Sequence, residues 1–332
     1  MSIVFEVKES IRAIDKIGQS KRDAKEKGTS GIHSKKQKVN TMSDCQNFVK
    51  WARAEHGVKS LAAVTEQHYQ AYIDHLREKG VTTGHMQNVE TSLRLLEKGF
   101  KQVVEKEQGP TSRFEGFCPS KRLVAQQRGE NIRNRSYDAN EVQQIRANCS
   151  PEVQKAVDLM RGLGLRVKES VNVRREHFKP AGDGWKLQIE KGGGITKGGR
   201  FRDVPVPAEF VGRLKQLMQD KEPQERLVQV TVETVRDGVK EGCKKAQIKQ
   251  DGRGTHGFRH AYARERFNEM ATPENKQMMT RILDNRALGR KADYGIHDQQ
   301  LYKETKAVMD KVHEELGHGE SRWALAMRYL RD

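Results

Sequence analysis

The chain has 332 residues, with 62 Lys and Arg against 45 Asp and Glu and a formal net charge of +17. That length supports two domains and a sizeable core, and the charge favours a polyanionic partner, because each phosphate neutralised releases counterions. The opening stretch MSIVFEVKESIRAIDKIG is charged throughout, unlike a signal peptide, and no run approaches the roughly 18 apolar residues of a membrane span; the expectation is a cytoplasmic protein with no membrane partner.

Residues 1–42 are polar and basic, with Lys35, Lys36 and Lys38 close together. This composition predicts a solvated, flexible basic arm, which in a DNA-binding protein would be able to wrap the duplex. A helical pattern begins at Ser43, which is spaced from Gln46 as in a capping box, and it places Phe48, Trp51 and Ala52 on one face. A second helix is predicted over 66–79, where Tyr69, Tyr72, Ile73 and Leu76 follow the i, i+3, i+4, i+7 rule, and Gly80 suits its end. A third, over 84–106, carries the stripe Met86, Val89, Leu93, Leu96, Phe100 and Val103. Residues 43–107 therefore read as a small all-α domain with its stripes inward and its polar faces available to DNA. Residues 108–136 interrupt the periodicity with Pro110, Pro119 and several glycines. They read as a linker, either a basic strap along phosphates or a plain loop.

The second domain, 137–332, opens with another capping-box spacing, Asp138 to Glu141, and helices are predicted over 139–148 and 151–162. Trp185, Leu187 and Ile189 alternate with polar residues, and FRDVPVP follows a glycine-rich turn, which is a β-hairpin pattern. Further helices are predicted over 207–220, 230–247, 256–271 and 298–316, the last with Leu301, Val308, Val312 and Leu316 on one side. The expected fold is mainly α with a small β-hairpin or sheet, in a helical domain followed by an α+β domain.

Four stretches could carry chemistry. GLGLRVKES sets Arg166 after a glycine-rich turn, with Glu169 three residues on; a lone arginine there is ordinarily an ion-paired surface residue. GGGITKGGRFRDVPV places Lys197 near a hairpin tip, but no Gly-Lys-Ser/Thr follows at phosphate-loop spacing, so nucleotide binding is rejected. GTHGFRHAYARERF puts His256 and Arg259 on one helix face; His256 and His260 have the i, i+4 spacing of a metal pair, but no third ligand follows, so no metal is expected. HEELGHGESRWALAMRYL carries His318 and, eleven residues later, Tyr329, a residue type that near a chain end usually packs. Cys45, Cys118, Cys149 and Cys243 form no CxxC pair and read as free thiols in a reducing compartment.

In order, Arg166, Lys197, His256-x-x-Arg259, His318 and Tyr329 resemble the catalytic signature of the tyrosine recombinase, or phage integrase, family. GLGLRVKE is similar to its first arginine box and ITKGGRFRDVPV to its hairpin lysine box. THGFRHAYA is similar to its HxLRH box, with Phe258 in the leucine position. The 43–107 segment resembles its core-binding domain. The resemblance implies a site-specific recombinase that exchanges DNA strands through a 3′-phosphotyrosyl intermediate on Tyr329. Arg166 and Arg259 would hold the phosphate, Lys197 would protonate the leaving 5′ oxygen, His256 would assist proton transfer from Tyr329, and His318 would donate to the phosphate. Glu169 would orient Arg166. No cofactor or metal is implied. The partners implied are double-stranded DNA attachment sites bound by a homotetramer spanning two of them, with room for accessory DNA-bending or directionality proteins.

Two features depart from the pattern. Residues 272–312 form an extra charged segment between Arg259 and His318, and its ALGRKADYG offers Tyr294 as a rival nucleophile, with Tyr302 nearby. Only three residues follow Tyr329, so a segment linking protomers would be the tyrosine-bearing one or the inserted helix. The alternatives are type IB topoisomerase-like relaxation and a DNA-binding relative without activity.

Overall fold

A computed structural model describes residues 2–29, 31–109, 114–125, 134–190, 195–196, 201–290 and 298–331. The chain divides into two compact units, Met1–Gln127 and Arg128–Asp332.

The first unit is helical from its beginning. Helix α1 (Ile3–Ala13) is capped by Ser2, whose side chain accepts from the Phe5 amide, and it buries Ile3, Val7 and Ile11. Helix α2 (Lys21–Glu26) is short, and α3 (Lys35–His56) starts at Ser34, whose hydroxyl accepts from the Gln37 amide at 3.2 Å. Helices α4 (Glu66–Glu78) and α5 (Thr83–Gln108) complete the unit. Tyr69, Tyr72, Ile73, Met86, Val89, Leu93, Leu96 and Phe100 all lie in the core, together with Phe48 and Ala52. The expected inward stripes are therefore present, except that Trp51 is half-buried at the edge of this core and Val103 lies outside it.

The boundaries differ in three places. The 1–42 segment is no flexible arm: Ile3, Val7 and Ile11 recur every four residues and form an apolar stripe that the surrounding charges mask in composition. Ser43 and Gln46 lie inside α3, so the cap belongs to Ser34. Of the expected linker, residues 114–125 pack on the first core through Phe117 and Val124. Two α5 carboxylates tie them down: Glu97 accepts from the Phe117 amide and, at 2.5 Å, from that of Cys118, while Glu90 accepts from Leu123 at 2.8 Å and from the Tyr69 hydroxyl at 3.0 Å. Carboxylates buried in this way need several donors, and here they have them.

The second unit begins as expected, with α6 (Ala139–Ala147) closed by the reciprocal Asp138–Glu141 box and α7 (Pro151–Gly162) entered through proline. A short α8 (Val167–Ser170) leads to an antiparallel sheet, β1 (Phe178–Ala181), β2 (Gly184–Ile189) and β3 (Arg202–Pro205), in that order, with Leu187 opposite Val204. The hairpin is the predicted one; β1 is an addition, since FKPA has a single buried residue and no alternation to read. Helices α9 (Ala208–Met218), α10 (Val232–Lys245) and α11 (His256–Met270) follow. The extra segment forms α12 (Pro273–Ala287) and most of α13 (Gln299–Glu315), and a seven-residue α14 (Trp323–Tyr329) is the last described helix. On α13 the buried apolar residues are Met309 and Val312, while Leu301 and Val308 are half-buried.

Two apolar clusters fill this unit. One joins α6, α7, the sheet, α9 and α10, and the other joins α11, α12, α13 and α14 through Tyr262, Met279, Leu283, Met309, Val312, Ala326 and Tyr329. No helix among the described residues is long and apolar enough to cross a membrane.

The approach of α1 to α5 gives a test of the N-terminal correction. A Cβ on Gly99 would lie 2.0 Å from the Ser10 carbonyl oxygen, a backbone atom that can move only with its helix. Gly99→Ala should therefore destabilise the first unit by about 1–3 kcal/mol through overpacking, measured by denaturant unfolding of the full chain. An unchanged midpoint would mean that α1 does not pack there.

Candidate active site

A buried carboxylate organises the site. Glu169, in α8, is 1% exposed and accepts from the Arg166 amide at 2.9 Å and from the Arg166 guanidinium at 2.7 Å. Arg202 Nη1 donates at 2.6 Å to Oε2, the oxygen that also accepts from the Arg166 amide, and Arg259 Nη1 stands 3.9 Å from the same atom. Burial alone would raise the Glu169 pKa, but Arg202, Arg259 and Arg166 together hold it below the usual carboxylate range. Among these four, Arg166 keeps the most exposed side chain, at 22%.

Arg202 projects inward from β3 beside Val204 in the strand's two-residue alternation. Besides Glu169 it donates to the carbonyls of Leu163 at 3.0 Å and Glu315 at 2.9 Å, so it ties the turn after α7 to the end of α13. Burial lowers its pKa to about 10, so it remains a cation at neutral pH. The turn requires glycine at 164: its φ is +57°, and a Cβ would lie 2.4 Å from the Tyr262 ring. Tyr262 donates to Glu315 at 2.9 Å, and Arg266 grips the same carboxylate at 3.0 and 3.1 Å.

Arg259 lies in the first turn of α11 and is fully buried. Its Nη1 donates to the Gly164 carbonyl, its Nη2 to that of Leu316 at 2.5 Å, and its Nε to the Tyr329 hydroxyl at 3.3 Å. Nη2 also stands 3.0 Å from His318 Nε2. A guanidinium only donates, so that imidazole nitrogen accepts and the ring proton is assigned to Nδ1. Burial, then Arg259 and Arg166, lower the His318 pKa to about 2, and burial chiefly lowers that of His260 to about 3. Both rings are neutral near pH 7. His256 is exposed at the start of α11; desolvation, then Arg259 and Arg166, shift its pKa downward, an effect that water around an exposed ring weakens.

Of the residues selected from sequence, Arg166, Glu169, Arg259, His318 and Tyr329 are brought together, with His256 one turn from His260 at a ring separation of 6.3 Å. Lys197 and Tyr294 lie outside the described residues. Tyr302 instead stacks on Trp323 at 5.9 Å. Sequence reading did not single out Arg202, Glu315 or the packing role of His260. Arg202 could have been found as a charged residue on the apolar face of a strand; Glu315 and His260 carry no such signal.

No protein-family profile matches the sequence, and no curated protein does. Solved structures do match in fold. They include a lambda integrase tetramer bound to a Holliday junction (15% identity, 85% of this chain and 75% of that chain covered, TM-score 0.51). They also include the XerH site-specific recombinase bound to its difH substrate (14%, 98% and 91%, 0.55). A third is the Tn1549 transposon integrase with circular intermediate DNA (12%, 91% and 99%, 0.50). All three are tyrosine recombinases, and the mostly helical chain with its three-stranded antiparallel sheet has their fold.

Arg202→Met should destabilise the second unit by about 3–5 kcal/mol, because it strips a buried carboxylate of a charged partner; calorimetric or denaturant unfolding measures this. A second expectation concerns pH. His260, His313 and His318 have folded pKa values of about 3, 4 and 2, below the ordinary 6.5. The unfolded chain therefore binds protons that the folded one refuses. Their stabilisation is complete above about pH 6.5 and is lost as pH falls toward the folded values. Urea unfolding at pH 7 and at pH 5 should show the loss, with these three rings alone contributing a proton uptake approaching three per molecule near pH 5; equal stability at both values would contradict the buried neutral rings.

Proposed function

We propose that this chain is a site-specific DNA recombinase that breaks and rejoins strands through a covalent bond between Tyr329 and a DNA 3′ phosphate. The observation that carries the reading is the convergence of Tyr329 and His318 on the buried Arg259, with the phenol oxygen 3.3 Å from Nε and the imidazole 3.0 Å from Nη2. A nucleophile held against a cationic anion seat suits in-line attack on a phosphodiester. The recombinase fold and the net charge of +17 support the same reading.

The Tyr329 oxygen attacks phosphorus, forming the phosphotyrosyl bond as the bond to the 5′ oxygen breaks. The phenolic proton leaves through His256, and Lys197 protonates the departing 5′ oxygen. The free 5′ hydroxyl of another strand reverses the step, so the bond energy is retained without a nucleotide cofactor. Arg166 and Arg259 hold the non-bridging oxygens, for which planar guanidinium forks are suited. Glu169 keeps both forks oriented. His318 accepts from Arg259 at rest, so donating to phosphate from the same nitrogen requires it to gain a proton there, which an arriving phosphate anion favours.

The partners in this reading are double-stranded attachment sites, two of them held by a homotetramer, with accessory DNA-bending or directionality proteins where geometry demands them. The tetrameric lambda integrase on a Holliday junction supports that assembly by likeness of fold.

The test is covalent capture from a library of nicked duplexes with randomised sequence, read as protein–DNA adducts that survive denaturation. The wild-type chain should give adducts. Tyr329→Phe should give none while retaining salt-sensitive DNA binding, and Arg259→Ala should slow capture by about 10²–10³-fold. Adducts from Tyr329→Phe would exclude this nucleophile, and relaxation of supercoils without joining of the selected sites would favour a topoisomerase.

A further inference from the structure

His260 follows Arg259 on α11 and has no part in the chemistry above. It is 6% exposed, and its ring lies on that of Tyr329 with centroids 4.3 Å apart and planes 26° from parallel. Its Nδ1 is buried without a hydrogen-bond partner among the described residues. A polar ring placed in such a position contributes its face rather than its nitrogen.

Tyr329 packs within the apolar cluster of α11–α14, and of the rings that face it His260 is the nearest. Tyr329 sits in the final turn of a seven-residue helix, its hydroxyl has one long hydrogen bond, at 3.3 Å, and the ring of His318 is tilted by 44° at 5.5 Å. A single long bond at the tip leaves rotation about the Cβ–Cγ axis open, and a stacked face closes it. The His260 ring is neutral near pH 7, so no charge on it competes with Arg259 for the phenol oxygen.

We propose that His260 is a positioning residue for the nucleophile: by stacking on Tyr329 it sets the ring plane and aims the phenol oxygen at the anion seat formed by Arg259 and His318. The inference rests on the recombinase reading for what is aimed, while the stack itself belongs to the free protein. Attack geometry tolerates little error, and a misplacement of about 1 Å can cost about a hundredfold in rate.

The test compares His260→Phe, which keeps a stacking face and removes the nitrogens, with His260→Asn, which keeps a polar group and removes the face. Each full-length variant is labelled with 3-fluorotyrosine, and the Tyr329 fluorine resonance is assigned by its loss in Tyr329→Phe. Capture is timed at saturating concentrations of the duplex selected from the randomised library, and affinity for that duplex is measured separately. The Phe variant should keep a ring-current-shifted resonance and near-wild-type capture. The Asn variant should lose the ring-current shift and slow capture by about ten- to a hundredfold at unchanged affinity. Capture as slow in Phe as in Asn would overturn the proposal in favour of a role for the nitrogen. Wild-type capture by Asn, or an unmoved resonance, would overturn it outright. If the wild-type chain captures no DNA, it is the recombinase reading that falls, and the fluorine resonance still decides whether His260 sets the ring.

Discussion

The second unit depends on one buried carboxylate. Glu169 lies at 1% exposure between Arg166, Arg202 and Arg259, two of which are themselves buried. Cations crowded together away from water repel one another and lose hydration, and a shared anion with good geometry makes the cluster tolerable. The remaining donors are satisfied by main-chain carbonyls of Leu163, Gly164, Glu315 and Leu316. The network therefore joins the turn after α7, strand β3, the start of α11 and the end of α13. Its stabilising value is secondary to its effect on geometry, since guanidinium positions are fixed before any anion arrives.

In the free protein Arg259 is masked. Two carbonyls, an imidazole and the Tyr329 hydroxyl take its donors, and its side chain is fully buried. In the proposed reaction a phosphate would compete here with the phenol and the imidazole. An anionic oxygen forms a stronger bond to a guanidinium than a hydroxyl or an imidazole nitrogen does. The two carbonyls are backbone atoms held by their turns, so they remain to orient the fork. The resting arrangement thus conserves the direction of Arg259 and leaves its exchangeable contacts to the two side chains that would themselves act on the phosphate.

Sequence carried much of this, unevenly. The inward stripes of α4 and α5, the Asp138–Glu141 cap and the β2–β3 hairpin were legible because periodicity and capping are local properties. Helix α1 was hidden because a chain with charges on every turn reads as disordered by composition, although four-residue spacing of Ile3, Val7 and Ile11 was present. The 114–125 segment looked like a linker because what holds it are two carboxylates on α5, at positions twenty or more residues away. In the site, residue types and order picked out Arg166, Glu169, Arg259, His318 and Tyr329, which meet, while Lys197 lies outside the described residues. Arg202 escaped because its partners, Glu169 and the carbonyl of Glu315, are distant in sequence.

The extra segment between Arg259 and His318 is part of the tyrosine's support rather than an appendage. Met279 and Leu283 of α12 share a cluster with Ala326, Met327 and Tyr329 of α14. Beyond that helix, Asp284 stands 3.7 Å from Arg331, and Arg264 of α11 donates to the Arg331 carbonyl. The ion pair, half-exposed on the carboxylate side, is worth little by itself; the apolar contact is what gives a seven-residue helix, too short to hold its own shape in water, a surface on which to form. An insertion that sequence reading could treat only as a departure, and as the source of a rival tyrosine, thus supplies the floor beneath Tyr329. The hydroxyl's direction is set in turn by its bond from Arg259 and by the rings of His260 and His318 against its own.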